Sequence, residues 1–318
     1  MLKQIKRTTI IVLSIIILSI IPFRASAEDY ITVYPLEKTL PVVVRGKGLP
    51  MLVVGPATLF LNGYLPKSFY DHFKVYFVDI FTKTSSPDSL DIKKITLDDF
   101  VDSIESIRSQ LKLDKVVLFG HSANGVLALL YSNKFHDHVL CNILVGTSPF
   151  RGVARETISK TFFEANASPA RKELYYKDQR QLKEFPSTFV NQYNAKRALN
   201  FFNPVDKKRL NIWEGINLDE ELINRYFSLI DGFNIRQYTD ILKVPIFLGL
   251  GLHDYNCPFD LWTSESKEVL KNPLIKCYIF NESAHFPMIE EEAGFVGQLL
   301  LFLREYRIVD AEGAELES

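Results

Sequence analysis

Cysteine is scarce in this 318-residue chain, and no repeat or low-complexity linker interrupts it. The three cysteines, Cys141, Cys257 and Cys277, are spaced in no zinc-binding pattern. An odd count leaves at least one thiol free. Cys141 and Cys277 fall in apolar, strand-like runs, which leaves Cys257–Cys277 as the one bridge considered. A bias to one charge is also missing: 37 basic residues face 38 acidic ones. That balance excludes the basic footprint of a non-specific nucleic-acid binder.

Long apolar runs are missing too, apart from one at the N-terminus. Lys3, Lys6 and Arg7 precede a nearly unbroken apolar stretch from Thr8 to Ile21, and Ala25-Ser26-Ala27 follows. This three-part pattern is that of a secretory signal peptide spanning residues 1–27. The run is shorter than the ~20 residues a spanning helix needs. The expected product is therefore exported, periplasmic or secreted, and meets a membrane only if this segment stays uncleaved. Its loss removes Lys3, Lys6, Arg7 and Arg24 and no acid, leaving 33 basic and 38 acidic residues, a net charge of -5.

What is present after the leader is an alternation of buried strands and helices. Ile31–Pro35 and Pro41–Val44 read as short strands, and Met51–Val54, Val75–Ile80, Val116–Phe119, Val139–Val145, Val244–Leu250 and Ile275–Phe280 as core strands. Val116–Phe119 has no polar alternation, as in a strand covered on both faces. Phe100, Ile104, Ile107 and Leu111 recur at helical spacing. Ala123–Asn133 and Phe295–Arg304 read as further helices. The class is α/β, with a mostly parallel sheet and helices on both faces. Residues 28–150 and 241–318 form the two parts of the core. Strand-like runs vanish from 151 to 240, where Lys183–Phe201 and Leu218–Gly232 read as helices. That segment is expected to be an inserted helical cap, with Phe162, Phe163, Tyr175, Trp213, Tyr226 and Phe227 available to line a pocket or fill the cap's own core. The tail from Asp310 is acidic and expected to fray.

The densest chemical signal is Phe119-Gly120-His121-Ser122-Ala123-Asn124-Gly125. A buried strand runs into a serine, and a helix begins at once, as in a nucleophile elbow. Small neighbours let strand and helix backbones approach. Gly120 stands where that pattern needs glycine. Asn124 stands where glycine usually follows, though asparagine tolerates unusual backbone angles. Of six histidines, His285 is the candidate base, because it lies in a polar loop directly after the last strand. His72, His136 and His138 read as surface residues, His121 is expected to point away, and His253 is a lesser candidate. Asp254, after the strand ending at Leu250, is the candidate orienting acid. Asp260 is its competitor, better placed in the first turn of a helix.

These motifs resemble the α/β-hydrolase superfamily, and most closely its capped, proline-iminopeptidase-like branch, over roughly residues 30–305. The resemblance rests on the Gly-His-Ser elbow, on Gly251-Leu252-His253-Asp254 and on Ala284-His285-Phe286-Pro287-Met288-Ile289-Glu290. The order Ser122, Asp254, His285 is that of the superfamily. Two departures stand out. Ile80-Phe81 replaces the Arg-Gly that usually follows the fourth strand. Val54-Gly55-Pro56-Ala57-Thr58 replaces the usual His-Gly turn, and Pro56 has no N–H to give. The resemblance implies an α/β-hydrolase fold and hydrolysis of a small ester or amide through an acyl-enzyme. It implies Ala123 as one oxyanion donor and Gly55 or Ala57 as the other, with no metal or organic cofactor. Two alternatives stay open. An aminopeptidase would need cap carboxylates such as Glu184, Glu214, Asp219, Glu220 or Glu221 to hold an ammonium. A non-catalytic binding protein on the same scaffold is the other. A dehalogenase is disfavoured because Ser122, not an aspartate, is at the elbow. Oligomeric state is left open.

Overall fold

In the computed structural model, residues 29–84, 90–206, 212–213, 215–238 and 242–309 are described. The signal segment, Glu214 and the tail from Asp310 lie outside them. Eight strands form one sheet: β1 Asp29–Val33, β2 Lys38–Arg45, β3 Leu49–Val54, β4 Phe73–Phe77, β5 Val116–His121, β6 Val139–Val145, β7 Ile246–Gly251 and β8 Ile275–Phe280. Their order across the sheet is β1-β2-β4-β3-β5-β6-β7-β8. β1 and β2 are antiparallel to each other, and β2 is antiparallel to β4. Every pairing from β4 across to β8 is parallel.

The sequence explains this layering. β5 and β7 are buried at every position, so helices must cover both faces. Helix α1 (Leu97–Gln110) starts with a capping box. Asp99 N–H donates to Thr96 Oγ1 at 3.3 Å, and Thr96 N–H donates to Asp99 Oδ2 at 2.7 Å. Together these satisfy two amides that the first turn leaves without partners. Its buried face is Phe100, Val101, Ile104 and Ile107. Helix α2 (Asn124–Lys134) is buried on nearly all sides. The C-terminal helix is Glu292–Glu305.

Some boundaries differ from those read in the sequence. β2 is longer because it pairs on both edges, with β1 and with β4. β4 stops at Phe77, short of the expected Ile80, because the Asp79 carboxylate turns the chain by accepting from Phe81 N–H at 3.0 Å. Between β6 and β7 the described residues contain no strand. They hold α3 (Val153–Asn166), α4 (Pro169–Leu182), α5 (Glu220–Ile230) and the short helices Phe189–Asn194 and Arg197–Asn200. The single helix expected over Lys183–Phe201 is broken. Pro186 cannot donate within a helix, and Thr188 caps a new start by accepting from Asn191 N–H at 3.2 Å. Among the described residues no helix is long and apolar enough to cross a membrane.

The chain leaves β3 toward β4 on one side and returns as β5 on the other. The carboxyl ends of β3 and β5 therefore flank a topological switch point, the usual ligand site of an open α/β sheet. The loops after β3, β5, β6, β7 and β8 all open on this edge. The helical segment is tied there by polar contacts. Fully buried Lys38 meets Asp219 Oδ2 at 3.0 Å. Asp219 also caps α5 by accepting from Leu222 N–H at 3.1 Å, and its own N–H donates to Phe81 O at 2.7 Å. Removing one partner of a buried pair strands the other. Lys38→Met should therefore lower unfolding free energy by about 3 to 5 kcal/mol, measured by urea denaturation. A change under about 1 kcal/mol would show that the pair does not anchor α5.

Candidate active site

Ser122 follows β5 directly, with φ +55° in the left-handed region. Residues other than glycine seldom adopt it, and the strain is characteristic of functional turns. The turn is held from behind by Ser122 N–H donating to Val145 O at 2.8 Å. It also depends on absent side chains. A Cβ at Gly120 would lie 2.7 Å from Gly125 Cα, and one at Gly125 would lie 2.0 Å from Thr147 Oγ1. Ala123 caps the N-terminus of α2, where backbone N–H groups have no helical acceptor.

Asp254 and His285 meet from two different loops. His285 Nδ1 lies 2.6 Å from Asp254 Oδ2, and both residues are fully buried. The other carboxylate oxygen, Oδ1, accepts from Asn256 N–H at 2.9 Å and Cys257 N–H at 2.7 Å. The carboxylate is thus saturated with donors, and the proton between the pair belongs on Nδ1. Nε2 of His285 is left buried with no hydrogen-bond partner. No hydrogen bond joins it to Ser122. Such contacts are often loose until substrate binds.

The histidine loop is fixed on every side. His285 N–H donates to Asn200 O at 3.0 Å. Ala284 N–H donates to Glu290 Oε2 at 2.7 Å, and Ser283 Oγ donates to Glu291 Oε2 at 2.7 Å. A Cβ at Gly146 would stand 2.8 Å from His285 Nδ1, so only glycine fits beside the imidazole. His121, expected to point away from the serine, turns its ring to the histidine loop. Its Nε2 lies 2.8 Å from the His285 carbonyl oxygen, and its ring stacks on Phe286 at 4.5 Å. Because a carbonyl can only accept, His121 donates from Nε2–H. Burial first, and the neighbouring His285 second, hold its pKa well below the ordinary value of 6.5.

The loop after β3, where Gly55-Pro56 replaces the usual His-Gly, touches the elbow. Gly55 has φ +110°, and a Cβ there would lie 2.4 Å from Asn124 Cγ. Asparagine at 124 therefore requires glycine at 55. Ala57 N–H donates back to Gly55 O at 2.8 Å, and Thr58 N–H donates to Asp79 Oδ2 at 3.0 Å. Desolvation raises the Asp79 pKa, although these amide bonds oppose the shift.

A cavity of about 340 Å³ opens over Ser122, bounded by Pro56, Ala123, Asn124, Tyr193 and Trp213. Of the aromatics named from sequence, Trp213, Tyr226 and Phe227 line it. Phe162, Phe163 and Tyr175 instead pack with Tyr255 in a separate cluster. Sequence reasoning missed Arg151, Arg155 and Lys196, which also line the cavity. Arg155 Nη2 donates to Asn256 Oδ1 at 3.0 Å and contacts Cys257 Sγ at 3.1 Å, bracing the loop that holds Asp254. All three cysteines are free, so the Cys257–Cys277 bridge does not form. Cys257 lies in this braced loop, while Cys277 belongs to β8. Asp260 opens the short helix Asp260–Thr263. His253 sits against Phe202. No group of three His, Cys, Asp or Glu side chains among the described residues could hold a metal.

Residues 48–292 match the family model described as alpha/beta hydrolase fold. The AB hydrolase superfamily protein YclE of Bacillus subtilis (strain 168) is 29% identical over 266 residues, covering 79% of this chain and 90% of the relative. A thermophilic esterase from Thermogutta terrifontis has a similar structure, with TM-score 0.62, 17% identity, and 88% of this chain and 99% of that one covered. The esterase EaEST from Exiguobacterium antarcticum gives 0.62 and 16%, over 87% and 99%. At these identities the two structures speak for the fold.

The depressed pKa of His121 has a consequence for stability. Below pH 6.5 the unfolded chain takes up a proton that folded His121 refuses. Its contribution is complete above that value and is lost progressively as pH falls from there toward the folded pKa. The melting temperature should drop as pH falls below 6.5, and His121→Gln should flatten that drop. Parallel profiles from scanning calorimetry would show that His121 is not the group responsible.

Proposed function

The chain belongs to the α/β-hydrolase fold family, and from that membership we propose that it is an exported serine hydrolase cleaving an ester or amide bond of a small substrate. The observation that carries the mechanism is the buried Asp254–His285 pair, at the same sheet edge as a strained serine. In this reading His285 Nε2 takes the Ser122 hydroxyl proton as Oγ attacks the substrate carbonyl. Asp254 fixes the tautomer and stabilises the imidazolium. The leaving group takes the proton back from His285. Water then hydrolyses the acyl-enzyme by the same steps in reverse.

The oxyanion would rest on Ala123 N–H and on one group from the loop after β3. Pro56 has no N–H, and the Thr58 N–H is engaged with Asp79. Gly55 N–H is the donor we favour, because Ala57 could serve only by breaking its turn back to Gly55 O. The helices between β6 and β7 act as the cap, the core being residues 28–150 and 241–318. Export rests on the leader pattern, with cleavage after Ala27.

The aminopeptidase alternative, and with it the proline-iminopeptidase-like branch, finds little support in the cavity. Of the cap carboxylates considered, Asp219 is paired with Lys38. Glu184, Glu220 and Glu221 are absent from the lining.

The test is hydrolysis of short-chain acyl esters by the purified mature protein and by Ser122→Ala. The expected loss of kcat is roughly 10⁴-fold or more. Unchanged hydrolysis by Ser122→Ala would defeat the assignment of the nucleophile. No hydrolysis by either protein would favour a binding protein on this scaffold.

A further inference from the structure

The charges lining the cavity over Ser122 are unequal. Arg151, Arg155 and Lys196 face it, and Glu156, which is exposed, is the one carboxylate among its lining residues. None of the three cations has a carboxylate within 4.0 Å among the described residues. Asp254 is turned to His285. The Phe227 ring face lies 5.3 Å from the Arg151 guanidinium carbon.

Several donors around this cavity are also unspent. The Nε atoms of Arg151 and Arg155 are buried without an acceptor, as are Tyr193 Oη and Trp213 Nε1. Tyr193 and Trp213 line the same cavity. Buried donors without acceptors are costly, and buried like charges more so. Burial first, and Arg155 second, lower the pKa of Arg151. An anionic, acceptor-rich ligand would relieve both deficits at once. A guanidinium matches a carboxylate in two parallel hydrogen bonds.

We propose that the substrate is an ester or amide that carries a free carboxylate, held by Arg151 with Arg155 and Lys196 while its scissile carbonyl lies at Ser122. This rests on the hydrolase reading above and deepens it. The cavity of about 340 Å³ suits a short half-ester of a dicarboxylic acid. Arg151 is the principal anchor, because Arg155 is already committed to Asn256 and Cys257. Lys196 is solvent-accessible and adds attraction at the open side.

Two 4-nitrophenyl esters of equal length test the proposal: the hemiglutarate, which ends in a carboxylate, and the valerate, which ends in a methyl group. The kcat/KM ratio of acid to neutral ester should exceed tenfold in the wild type. It should fall at least tenfold in Arg151→Gln and recover in part in Arg151→Lys. A wild-type ratio near one, or a ratio unmoved by Arg151→Gln, overturns the proposal. Binding separates this from failure of the hydrolase reading. On Ser122→Ala, an NMR titration should show glutarate monomethyl ester binding at least tenfold tighter than methyl valerate. Equal affinities overturn the anion site even if both esters are hydrolysed. Tighter binding of the acid without any hydrolysis keeps the anion site and removes the enzyme.

Discussion

The structure of the site depends on one buried contact, the 2.6 Å approach of His285 Nδ1 to Asp254 Oδ2. A carboxylate sealed from water is tolerated only when its oxygens are occupied. Here one oxygen has the imidazole and the other has two backbone amides. That demand shapes the loop after β7, which Arg155 braces from the helical segment. It shapes the loop after β8 as well, which is tied to Asn200, His121, Glu290 and Glu291. Gly251 lets the two loops touch, since a Cβ there would lie 1.9 Å from Ala284 O.

The elbow obeys a different constraint, steric rather than electrostatic. Gly120, Gly125 and Gly55 are spaces into which neighbouring atoms project. Asn124 occupies one of them, against Gly55, so its departure from the usual glycine and that of the loop after β3 form a matched pair in space. The helical segment borders the cavity over Ser122. Tyr226 Oη donates to Ala123 O at 2.8 Å, directly beside Ser122. The segment thus contributes to the geometry of the elbow and lines the cavity.

Much of this was legible in the sequence because it is local or periodic. Continuous apolar runs marked β3 and β5 to β8, and the strand–serine–helix sequence marked the elbow. The positions of Asp254 and His285 after strands were enough to nominate both. What was not legible depends on side chains meeting from distant segments. Nothing in the sequence sets Arg151, Arg155 and Lys196 apart from the other charges between 151 and 240. Only folding turns them toward Ser122. His121 reads as a residue aimed away from the serine, which does not reveal that it supports the His285 carbonyl. The break at Pro186 was visible as a proline, yet flanking helical residues outweighed it in a reading by periodicity.

The central claim is that the buried pair activates Ser122. Its most direct measurement is the rate at which a fluorophosphonate modifies Ser122, followed by peptide mass spectrometry in wild type and in Asp254→Asn. The account predicts an adduct on Ser122 in the wild type, formed roughly 10³- to 10⁴-fold faster than in the variant. Equal rates, or no adduct on Ser122 in the folded wild type, would contradict it.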